Sequence, residues 1–85
     1  MDATARQHRI LVVEDESAAA EALVEGLREE GFFVALAADG QTASRSIDYQ
    51  YWDLVVLDLM LPDISGESLL SYLTQRPDYP AVLVL

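Results

Sequence analysis

The segment Leu54 to Gly66, Leu-Val-Val-Leu-Asp-Leu-Met-Leu-Pro-Asp-Ile-Ser-Gly, constrains the fold more than any other part of the chain. Leu54 to Leu57 form an unbroken apolar run, half of it β-branched, that ends on Asp58. Such a run suits a strand covered on both faces, as in a parallel sheet. Pro62 and Gly66 then break the chain into a loop. A second run, Ile10 to Val13, ends in the same way on Glu14-Asp15-Glu16. Open α/β sheets bind ligands beyond the carboxyl ends of their strands. Both acidic groups therefore fall where such a fold places a site.

The remaining segments fit that fold. Ser17 to Glu30 has helical character, with Ala19, Ala22, Leu23, Gly26 and Leu27 on one apolar face and Glu21, Glu25, Arg28 and Glu29 largely opposite. Gly31 suits the left-handed position that stops a helix. Phe32 to Ala38 reads as a strand. Asp39 can cap a helix from about Gln41 to Gln50, with Ala43 and Ile47 inward. Ser65 can cap another from about Gly66 to Gln75, with Leu69, Leu70 and Leu73 inward. Ala81 to Leu85 is a fourth apolar strand. The order β-α-β-α-β-α-β implies a doubly wound parallel sheet with helices on both faces. In strand order 2-1-3-4 the first and third strands are neighbours, and Glu14, Asp15 and Asp58 share one cleft.

Composition narrows the partners. With 85 residues, 52% of them hydrophobic, the chain suffices for one small domain. The net charge of −10, with five arginines and no lysine, disfavours direct nucleic-acid binding and attracts divalent cations and basic partners. The absence of cysteine excludes disulfides and thiolate metal sites and fits a cytoplasmic setting. No apolar run reaches membrane-spanning length. Residues 1–9 are polar and read as a disordered tail, without the apolar segment of a signal peptide.

Two carboxylates about 4 Å apart repel by about 4 kcal/mol at an effective dielectric of about 20. A proton on one of them relieves this, as does a hard divalent cation such as Mg²⁺, which prefers oxygen ligands.

Ile10-Leu11-Val12-Val13-Glu14-Asp15-Glu16 and Asp58-Leu59-Met60-Leu61-Pro62-Asp63-Ile64-Ser65-Gly66, with Asp39-Gly40 and Pro80 to Leu85 in step, resemble the receiver domain of two-component response regulators. The resemblance covers nearly the whole chain and implies a flavodoxin-like fold. It implies that Asp58 is the phosphoacceptor for a histidine kinase. It further implies that Glu14, Asp15, Asp58 and the backbone carbonyl of Met60 surround Mg²⁺ or Mn²⁺. Such a domain signals to an effector and is not an enzyme in the ordinary sense. Glu14, where many relatives carry aspartate, points to a downstream DNA-binding effector.

The chain departs from the family pattern after its fourth strand. The family has five βα units, with a serine or threonine after the fourth strand and a lysine ending the fifth. Leu85 is the last residue, and there is no lysine. Residues 10–85 thus read as a partial receiver. Its fourth-strand edge and the first-helix face near Ala19, Leu23 and Leu27 would be open to self-association. The alternative function is a truncated interaction or dimerisation module that takes no phosphoryl group. A haloacid-dehalogenase-like hydrolase would carry a second aspartate where Met60 stands. Flavin or nucleotide binding is disfavoured because Glu14-Asp15-Glu16 would repel phosphates. Glu16, Asp63 and Glu67 read as ordinary surface acids, His8 as an exposed residue without catalytic role, and Trp52 as a structural ring.

Overall fold

The computed structural model describes residues 7–85. Four parallel strands alternate with three helices. The strands are β1 (Arg9–Val13), β2 (Phe33–Ala37), β3 (Leu54–Leu57) and β4 (Ala81–Val84). They lie in the order β2-β1-β3-β4, as the alternation of apolar runs implies. The helices are α1 (Ser17–Glu29), α2 (Gly40–Tyr49) and α3 (Gly66–Thr74).

The inner strands β1 and β3 are buried on both faces, so nearly every side chain in them is apolar. Alternate residues serve opposite layers. Leu11, Val13, Val55 and Leu57 pack with Ala43 and Ile47 of α2 and with Leu69 and Leu73 of α3. Ile10, Val12 and Val56 pack with Val24 of α1. A run of apolar residues on each inner strand thus supplies both layers at once.

Local chemistry sets the helix ends. Asp39 caps α2 by accepting from the Thr42 N–H at 2.7 Å, and Ser65 caps α3 by accepting from the Ser68 N–H at 3.0 Å. The α1 cap is Glu16, whose carboxylate accepts from the Ala19 N–H at 2.8 Å. Glutamate is not among the preferred cap residues, so this contact was not legible in the sequence. Gly31, at φ +96°, closes α1, with the Phe32 N–H on the Leu27 carbonyl and the Gly31 N–H on the Arg28 carbonyl. This is the paired bonding of a Schellman ending.

Two expectations change. Ala20 and Val24 are the buried residues of α1; Leu23 and Leu27 flank them, and Ala19, Ala22 and Gly26 are exposed. The segment is alanine-rich almost all round, so its periodicity admits more than one inward face. The expected tail 1–9 also ends earlier. Arg9 already belongs to β1, and the His8 carbonyl accepts from the Phe33 N–H at 2.9 Å. Residues 1–6 of that tail lie outside the described residues.

The end of the sheet where β1 and β3 begin is held by packing. Trp52 is buried, stacks on Phe33 at 6.3 Å, and donates through Nε1 to the Ser46 carbonyl at 2.9 Å. It is a structural ring, as the sequence suggested. The Arg9 guanidinium lies 4.2 Å from the Phe33 ring centroid. Asp53 binds the Arg9 backbone N–H at 2.7 Å, which holds its carboxyl below the usual carboxylate range. Among the described residues, no helix is long and apolar enough to cross a membrane.

Gly66 and Gly26 make opposite demands. A Cβ at Gly66 would overlap the Leu59 backbone, whereas a Cβ at Gly26, inside α1, meets nothing. Gly66→Ala is expected to destabilise the domain by about 1–3 kcal/mol through overpacking. Gly26→Ala is expected to stabilise it by up to about 1 kcal/mol through helix propensity. Urea midpoints of the two variants check this, and a Gly66→Ala midpoint at or above that of the parent chain would contradict it.

Candidate metal centre

The acidic site follows from strand register. Val13 pairs with Ala37 on one side and with Leu57 on the other. The ladder runs one step further, with the Glu14 N–H on the Ala37 carbonyl and the Asp58 N–H on the Val13 carbonyl, each at 3.0 Å. Glu14 and Asp58 are thereby fixed side by side at the carboxyl ends of adjacent strands. Asp15, at the start of the loop into α1, completes the group. Carboxylate oxygens of Glu14, Asp15 and Asp58 lie within 4.8 Å of one another. Glu14 is buried, Asp58 half-buried and Asp15 exposed.

Two of the three acids are oriented by neighbouring backbone. A Glu14 oxygen accepts from the Glu16 N–H at 3.1 Å. Asp58 Oδ1 accepts from the Met60 N–H at 2.9 Å, a tight turn that starts the β3–α3 loop. Met60 exposes its side chain, and a thioether is a poor ligand for a hard cation, so any such role at this position falls to the backbone carbonyl. A shallow cleft of about 410 Å³ adjoins the cluster, lined by Asp15 and by residues 59–65 of the loop.

The cluster is electrostatically unfavourable by itself. Unit charges 4.8 Å apart repel by about 3–4 kcal/mol at an effective dielectric of about 20. The Glu16 N–H favours the charged form of Glu14, but burial, a hydrogen bond with Asp58 and the charges of Asp58 and Asp15 outweigh it. The net effect pushes the Glu14 carboxyl above its ordinary value. The donor set contains only carboxylate oxygens, on one rim and open to water at Asp15. That matches a hard divalent cation that retains several waters, and matches poorly a soft thiophilic metal.

The other acids are accounted for differently. Glu16 caps α1, and Glu67 lies exposed in the first turn of α3. Asp63 is more than the surface acid it resembles in the sequence. Its carboxylate accepts from the N–H groups of Gly40, Gln41 and Ile64 at 2.8, 3.0 and 2.9 Å. The partner helix lies 22 residues or more away in sequence, so no local pattern announces these bonds. His8 is exposed and lies 3.5 Å from Asp53, at the other end of the strands.

The raised Glu14 carboxyl has a pH signature. Glu14 keeps its proton to higher pH when folded than when unfolded. It therefore stabilises fully below its ordinary value of 4.5 and loses that contribution as pH rises through the raised one. In metal-free buffer Glu14→Gln is expected to melt at higher temperature than the parent chain at pH 7, with the gap closing as pH falls below 4.5. Melting curves across pH check this. Equal or lower stability of the variant at pH 7 would contradict it.

Known proteins match this chain in sequence and in fold. The family model of the response regulator receiver domain matches residues 10–85. The probable transcriptional regulatory protein TcrX of Mycobacterium tuberculosis is 42% identical over 76 residues, which cover 88% of this chain and 32% of TcrX. The response regulator TrrA of Thermotoga maritima, solved in complex with Mg²⁺-BeF, superposes with a TM-score of 0.83 at 36% identity, over 91% of this chain and 68% of that one. A crystal structure of the histidine kinase ThkA in complex with TrrA matches with a TM-score of 0.84 at 33% identity, over 92% and 67% of the two chains. The chain spans about a third of the length of the curated relatives it matches. With its strand order, its acidic cluster and this family match, the chain belongs to the response regulator receiver domains, which are signalling domains.

Proposed function

We propose that Asp58 is the phosphoacceptor of this receiver, working with Mg²⁺ held by Glu14, Asp15, Asp58 and the backbone carbonyl of Met60. The observation that carries this reading is the convergence of the three carboxylates on one rim, within 4.8 Å. A carboxylate oxygen of Asp58 attacks the phosphorus of a kinase phosphohistidine; the P–N bond breaks, and the imidazole leaves with its electron pair and takes up a proton. The cation, when bound, offsets negative charge on the transferring oxygens. The chain's own residues supply position: the ladder bond to Val13 and the turn to Met60 fix Asp58 in place.

A histidine kinase is the proposed donor, and the solved pairing of a kinase with a similar regulator supports it. The proposed output is a transcriptional effector outside residues 10–85, in keeping with the name of TcrX. Residues 10–85 are proposed to form part of a receiver; their coverage of 68% and 67% of two matched solved chains supports this. The charge of −10 argues against direct nucleic-acid contact by this segment, and a cytoplasmic location suits the kinase partner. A second reading is self-association along β4, where Leu83, Val84 and Leu85 are exposed at a sheet edge.

Incubation with acetyl phosphate and Mg²⁺, followed by intact mass measurement, tests the first reading. One phosphoryl group is expected on the parent chain and none on Asp58→Ala. An unmodified parent chain that remains folded would contradict it. Mg²⁺ at a hundred times its Kd is expected to stabilise the domain by about 2.7 kcal/mol, as binding to the folded state alone requires. A melting temperature that Mg²⁺ leaves unchanged would contradict metal binding.

A further inference from the structure

The β3–α3 loop, residues 58–65, is anchored at two points on either side of Met60. At its start, the Leu59 carbonyl accepts from the Gly66 N–H at 3.1 Å, and the absent side chain of Gly66 lets the Leu59 backbone approach closely. At its far end, Asp63 reaches across to a different element. Its carboxylate takes the N–H groups of Gly40 and Gln41, the first two residues of α2, and folds back on the Ile64 N–H. Ile64 then lies where a side chain on residue 40 would be, so Gly40 is needed for the approach.

This contact completes the start of α2 from outside the helix, because the cap at Asp39 leaves the first two amides to another acceptor. Asp39 already caps that helix through the Thr42 N–H. Asp63 instead supplies acceptors to two further amides from outside the helix, where the positive end of the helix dipole favours its charge. Those amides hold its carboxyl below the usual carboxylate range, so it stays ionised at neutral pH. A carboxylate from the loop is thus committed to a helix that follows β2. The loop residues between the two anchors include Met60.

We propose that Asp63 is a positioning residue of the metal centre: by clamping the β3–α3 loop to the N-terminus of α2, it fixes the Met60 backbone carbonyl relative to Asp58. This rests on the reading of the acidic cluster as a Mg²⁺ site. Asp63 itself touches neither the cluster nor the cation. Its effect passes through the loop backbone, as supporting contacts around metal ligands do.

The test compares Asp63→Ala with Asp39→Ala. Both remove an acceptor from the start of α2, but only the first cuts the loop free. Mg²⁺ titrations followed by amide NMR shifts give the Kd, ¹⁵N relaxation gives the order of the Met60 and Leu61 amides, and thermal melting gives stability. Asp63→Ala is expected to weaken Mg²⁺ by about tenfold, the low end for loss of an outer contact to a metal ligand, and to lower the order of Met60 before any metal is added. Asp39→Ala is expected to lower the melting temperature with the parent Kd retained. Asp63→Asn keeps one carbonyl oxygen and should fall between parent and alanine variant. An Asp63→Ala Kd equal to that of the parent chain would overturn the positioning role while leaving the metal site standing. So would an equal loss of affinity in Asp39→Ala, which would make the effect one of general stability. A parent chain that binds no Mg²⁺ would overturn the reading of the cluster itself, and the positioning role with it.

Discussion

The parallel pairing of β1 with β3 is the constraint on which everything else depends. In a parallel ladder, strands of similar length that begin together also end together. Ile10 faces Leu54 and Val13 faces Leu57, so the next residue on each strand, Glu14 and Asp58, arrives at the same place. The apolar runs fix this register because both faces of these strands are covered. A slip by one residue would exchange the side chains of the two layers. Hydrophobic packing therefore does the electrostatic work: burial of Val12, Val13, Val56 and Leu57 forces acids together that would otherwise separate.

The cost falls on a small domain. A chain of this size buries a modest fraction of its surface and has little stability to spare. The repulsion within the cluster is a sizeable part of that margin. A raised Glu14 carboxyl is one way the folded chain lowers it. A bound cation is another, and it would make the occupied state more stable than the empty one. The same logic explains the clamp at Asp63. A ligand set that includes a backbone oxygen is only as well placed as the loop that presents it. Here the loop is tied at Leu59 and again at Asp63.

Much of the fold and the acidic cluster was legible because it follows from short-range rules. Apolar runs that stop at acids mark buried strands, and Asp39, Ser65 and Gly31 are the residue types that begin or end helices. The inward face of α1 was only partly legible. Ala20, Leu23, Val24 and Leu27 stand at helical spacing, but alanine at positions 18, 19 and 22 widens the apolar arc, and the sheet decides that Ala20 and Val24 are its centre. The roles of Glu16 and Asp63 were hidden for different reasons. Glu16 caps a helix with a side chain seldom used for it, and Asp63 binds amides brought near only by the complete fold.

The chemistry proposed for the acidic rim requires residues 14, 15 and 58 to share one divalent cation. Paramagnetic broadening by substoichiometric Mn²⁺ tests it most directly, because the effect falls steeply with distance from the ion. Loss of the Glu14, Asp15, Asp58 and Met60 amide signals is predicted first, with the Trp52 indole signal, at the far end of β3, persisting longest. Broadening spread evenly over the fifteen acidic side chains of the chain, or centred away from Asp58, would contradict it.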